Sequence, residues 1–75
     1  MSVSNDVKKA IVEQNLQVLE NTIYDFEIKA RVAARVKDES MQKTSAEQLE
    51  KFEKMADEYR LILKEIEPTK NEEPI

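Results

Sequence analysis

The sequence predicts an all-α fold: a two-helix antiparallel hairpin with coiled-coil-like spacing, forming a helical bundle by homo-oligomerisation. Three observations carry this expectation. Apolar residues recur at alternating steps of 4 and 3 in two separate stretches, the spacing of one helix face. The 75 residues include Gly 0 and Pro 2, and neither proline interrupts those stretches. The two stripes are out of phase with each other, so one continuous rod would display two unrelated apolar faces.

The first helix is expected from about residue 5 to about 38. Its stripe is Val12, Leu16, Leu19, Ile23, Phe26, Ala30 and Ala33, with Leu16, Ile23 and Ala30 at heptad position a and the others at d. Ser4 or Asn5 serves as its N-cap, and Asp6 lies in the first turn, where the helix dipole favours an acid. A turn is expected at about 39–44, folding the chain back near Met41. It lacks the glycine that commonly follows a helix C-terminus.

The second helix is expected from about 45 to 67. Leu49, Ala56 and Leu63 take a positions, and Phe52, Tyr59 and Ile66 take d positions. Thr44-Ser45-Ala46-Glu47 reads as a capping box, and Pro68 supplies the stop. Residues 1–67 then form one domain, and the polar, proline-flanked segment 68–75 is expected to be a disordered tail.

Charge placement favours the hairpin. Residues 29–37 carry Lys29, Arg31, Arg35 and Lys37 with no acid, while the second helix opens with Glu47, Glu50, Glu53, Asp57 and Glu58. Folding back near Met41 sets these opposite blocks side by side. Within helices, Asp25 with Lys29, Glu27 with Arg31, Glu47 with Lys51 and Glu50 with Lys54 are i,i+4 pairs in the favourable order.

A lone hairpin has too little to bury. One seam holds about a dozen apolar side chains, and chains this short commonly need a partner. The first helix is expected to outreach the second, and it carries a second stripe outside the seam: Val7, Ile11, Val18, Ile28, Val32 and Val36. Met55 and Ile62 flank the seam of the second helix, and Leu61 lies outside it. A helix apolar on two sides is buried on two sides. Ile11, Val18, Tyr24, Ile28, Val32 and Val36 are therefore the candidate partner-binding residues. A homo-oligomer is expected, a dimer favoured, with a protein partner besides; whether the outer stripe meets a second copy or another protein stays open. Tyr59, Phe26 and Phe52 are assigned to the core.

The same composition narrows the function. With Cys 0 and His 0 there is no zinc site, thiol nucleophile or imidazole base, and the Glu-x-x-His of a di-iron bundle is missing. Without glycine no phosphate-cradling loop is built. The carboxylates line helix faces with no apolar pocket to perturb them, so they read as solvated surface. No enzyme activity, cofactor or metal is expected. The net charge of -4 argues against nucleic acid as the default partner. No apolar run approaches the roughly 20 residues of a membrane span, and the first residues resemble neither a secretory signal nor a mitochondrial presequence. A cytoplasmic protein without membrane contact is expected.

The basic residues Lys29, Arg31, Arg35 and Lys37 form a possible patch for an anion or an acidic partner. Pairing within the hairpin, a partner protein and nucleic acid are the three readings of that patch. In plan, though not in motif, the chain is similar to the plasmid copy-number regulator Rop, a small two-helix dimer that binds RNA. Type III secretion co-chaperones have a comparable hairpin plan. The expected function is a non-enzymatic protein-interaction module (adaptor, assembly chaperone or regulatory protein) showing apolar helix faces to itself and to a partner. A small nucleic-acid-binding regulator of Rop-like plan is the alternative.

Overall fold

The computed structural model describes residues 3–66, which form two helices, α1 (Asn5–Arg35) and α2 (Glu39–Ile66). There is no strand among the described residues. The helices run antiparallel: Ala33 meets Gln42, Phe26 meets Phe52, and Glu20 meets Arg60, so one number falls as the other rises. The expected tail 68–75 lies outside the described residues.

Ser4 caps α1 as anticipated. Its hydroxyl accepts from the backbone N–H of Val7 at 3.2 Å, satisfying one of the orphan donors of the first turn. The α1 terminus is where the structure departs from the sequence reading. α1 stops at Arg35 rather than about 38, and the turn is at 36–38 rather than about 39–44. Lys37 takes the left-handed conformation with φ 60°, the place usually given to glycine. Around it the Asp38 N–H donates to the Ala33 carbonyl at 2.9 Å, and the Lys37 N–H donates to the Ala34 carbonyl at 3.2 Å. These are the two bonds of a Schellman motif, closed without a glycine.

α2 starts at once. Asp38 is its N-cap, with Oδ1 accepting from the Met41 N–H at 3.0 Å. The expected start at about 45 is therefore corrected to Glu39, and the segment Thr44-Ser45-Ala46-Glu47 lies inside the helix rather than capping it. The Gln42 side-chain amide reaches across the turn to the Ala33 carbonyl at 3.4 Å. That carbonyl thus accepts from the turn backbone at Asp38 and from α2 at Gln42. With α2 this long, at 28 residues against 31, α1 does not outreach it as expected.

The seam follows the expected stripes. Val12, Leu16, Leu19, Ile23, Phe26, Ala30 and Ala33 of α1 are all buried or half-buried, as are Leu49, Phe52, Ala56, Tyr59, Leu63 and Ile66 of α2. The stripe of α2 also continues backward in the same 4 and 3 steps to Ser45 and Gln42, two polar residues at seam positions. Phe26 and Phe52 meet mid-seam with ring centroids 5.6 Å apart, tilted by 35°. The core is nevertheless thin. The buried apolar residues are Leu19, Ala33 and Ala56, Ser45 is buried with them, and no large side chain is fully buried among the described residues.

Candidate interaction surface

Two helices side by side leave two flanks, and heptad geometry says which residues occupy each. In an antiparallel pair the g positions of both helices share one flank and the e positions share the other. The e flank is acidic. Glu13, Glu20 and Glu27 recur along α1 at the heptad step, and Glu53 and Arg60 do so along α2. Glu20, Glu53, Asp57 and Arg60 line one groove there with Ile23 and Ala56 at its floor. Arg60 ties the groove together, donating to Asp57 at 2.9 Å and to Glu20 of the opposite helix at 3.3 Å. Arg60 and Glu20 are half exposed and Asp57 more so, so these pairs bias register more than they stabilise.

The g flank is different in kind. α2 places Met41, Gln48, Met55 and Ile62 along it at the heptad step. α1 adds Ile11, Val18, Asp25 and Val32, also at the heptad step. The structure joins the two rows. Ile11 and Ile62 line one groove across the helices, and Val18 and Met55 line another together with Asn15 and Thr22. Extending both rows by the heptad step sets Asp25 opposite Gln48 and Val32 opposite Met41. Three rungs are apolar and one is polar. At the polar rung Asp25 is paired with Lys29 at 2.9 Å, and the Lys29 ammonium also sits 4.8 Å from the Phe26 ring centroid.

The candidate partner-binding residues therefore divide. Ile11, Val18 and Val32 fall on the apolar flank, with Val36 at its turn end. Tyr24, 62% exposed, lies toward the acidic flank, and Ile28 faces outward at the back of α1. Met41, 44% exposed, is the residue sequence reasoning missed, because it was assigned to the turn.

The basic residues do not form one patch. Lys29 is engaged by Asp25 on the apolar flank, whereas Arg31 and Arg35 lie one turn apart on another face of α1 and Lys37 sits in the turn. No ion pair between residues 29–37 and α2 forms among the described residues, so the expected pairing within the hairpin is corrected. Of the four anticipated i,i+4 pairs, Asp25 with Lys29 and Glu50 with Lys54 are present. Among the described residues no group of three or more acidic side chains is placed to hold a metal ion, and no helix is long and apolar enough to cross a membrane. No protein-family model matches the chain, and neither a characterised protein nor a solved structure matches it.

Proposed function

We propose that this chain is a non-enzymatic protein-interaction module of the cytoplasm, a small adaptor, assembly chaperone or regulatory protein that works by offering apolar helix surface to itself and to a partner. One observation carries the reading. Among the described residues no large side chain is fully buried, while Ile11, Val18, Val32, Met41, Met55 and Ile62 are each 39–60% exposed. A hairpin so constructed has its unspent apolar surface outside, and such surface is covered by association.

The test is helicity by circular dichroism and molar mass by light scattering, both followed across a dilution series of the full chain. Helix content that falls together with molar mass supports an association-dependent fold. A chain that stays fully helical and monomeric throughout would refute self-association.

A second reading rests on Arg31, Arg35 and Lys37, which are exposed and make no ion pair among the described residues. As an RNA-binding regulator the chain would lose affinity steeply with salt, and again on replacing both arginines with Ala. The acidic flank and the net charge of -4 weigh against it, and the arginine pair is separated from Lys29, which Asp25 engages on the other flank.

A further inference from the structure

We propose that the apolar flank is the face on which a second copy of this chain docks, giving a four-helix dimer with the acidic flanks turned outward. The inference rests on the interaction reading above and specifies which face serves self-association. Three features of the hairpin select it.

Area comes first. A standard interface buries about 800 Å² per partner, a little over half of it apolar. The pairs Ile11 with Ile62, Val18 with Met55 and Val32 with Met41, at 39–60% exposure, present on the order of 500 Å² of apolar surface. One flank thus holds what one side of a dimer needs.

Charge selects between the flanks. A copy laid on the acidic flank brings Glu13, Glu20, Glu27 and Glu53 against the same residues of its partner, with Arg60 the one cation in that set. On the apolar flank Asp25 is already neutralised by Lys29, Lys8 and Glu58 border the grooves with one charge of each sign, and Asn15, Thr22 and Gln48 supply uncharged polar groups between the rungs.

Width and period favour a copy over a single foreign helix. The apolar band runs from the g edge of α2 across the seam to the outer shoulder of α1, where Ile11, Val18 and Val32 lie. A single helix seated over the groove leaves that shoulder exposed. A second hairpin covers it, with rungs repeating about every 10 Å along both molecules.

The experiment is sedimentation equilibrium of the full chain over a dilution series, with helicity measured on the same samples. The variants are Val18→Asp and Met55→Lys on the apolar flank, Glu53→Lys on the acidic flank, and the near-isosteric Val18→Thr as a variant that keeps the helix. The parent chain is expected at twice 8.7 kDa. Val18→Asp and Met55→Lys should each raise the dissociation midpoint at least about tenfold, because a charge is then desolvated between copies. Val18→Thr should raise it less while leaving helicity intact, and Glu53→Lys should leave it unchanged or lower it. A dimer indifferent to Val18→Asp, Met55→Lys and Val18→Thr would overturn the assignment of the face while leaving self-association standing. A monomer at every concentration would overturn both.

Discussion

Replacing Lys37 with Gly should stabilise the chain, although almost any other glycine introduced into these helices should weaken it. Lys37 has φ 60°, a conformation that costs an L-residue about 1–2 kcal/mol relative to the right-handed region. Glycine removes that strain but adds about 0.4–1 kcal/mol of unfolded-chain entropy. The Lys37 side chain is exposed and makes no ion pair among the described residues, so its removal breaks no ion pair. The net gain is about 0.5–1 kcal/mol, a rise of about 3–6 °C in Tm for a domain of this size. Lys43→Gly is the matched control, an exposed lysine inside α2, where glycine should cost about 1 kcal/mol. Thermal unfolding followed by circular dichroism reads both, at one protein concentration because association shifts Tm. Opposite signs are expected. If Lys37→Gly destabilised as Lys43→Gly does, residue 37 would be helical, and the turn would lie where the sequence pattern alone puts it.

Two further predictions concern the turn and the seam. Asp38→Ala should cost about 1 kcal/mol by deleting the N-cap bond to Met41, whereas Thr44→Ala, at an exposed position inside α2, should be neutral or gain a few tenths of a kcal/mol; urea titration of both distinguishes the two helix starts. Phe26→Ala and Phe52→Ala should each cost about 2–3 kcal/mol, below the range for fully buried rings, and a double-mutant cycle should give about 1 kcal/mol of coupling; additivity within about 0.3 kcal/mol would mean the rings are not in contact.

The seam was legible in the sequence because apolar residues at 4 and 3 steps leave little choice of face, and each such residue from Val12 to Ile66 lies at least half-buried. The turn was not. Its left-handed residue is a lysine, and the first seam positions of α2 are Gln42 and Ser45, so neither the glycine signal nor the apolar stripe marks the place. Thr44-Ser45-Ala46-Glu47 then offered a convincing cap that the chain does not use. That displacement accounts for the two other errors. Closing the chain at Lys37 instead of near Met41 slides α2 along α1, so that Glu53 lies by Glu20 in one groove rather than beside the basic residues. It also carries Met41 from the turn into α2 and onto the apolar flank. That flank itself was half visible, since Ile11, Val18 and Val32 stood out, but only the antiparallel register could show them level with Ile62, Met55 and Met41.

The Schellman turn and the Asp38 cap give the closed end a consequence for the order of folding. Residues flanking Lys37 are brought together by a loop of a few residues, whereas joining Val12 to the last turn of α2 closes a loop of about 50 residues. Ala33, Ser45 and the Gln42 bond are therefore expected among the earliest contacts, with the seam zipping outward toward the termini. Substitutions beside the turn should slow refolding, while those at Val12 or Ile66 should speed unfolding and leave the refolding rate nearly unchanged.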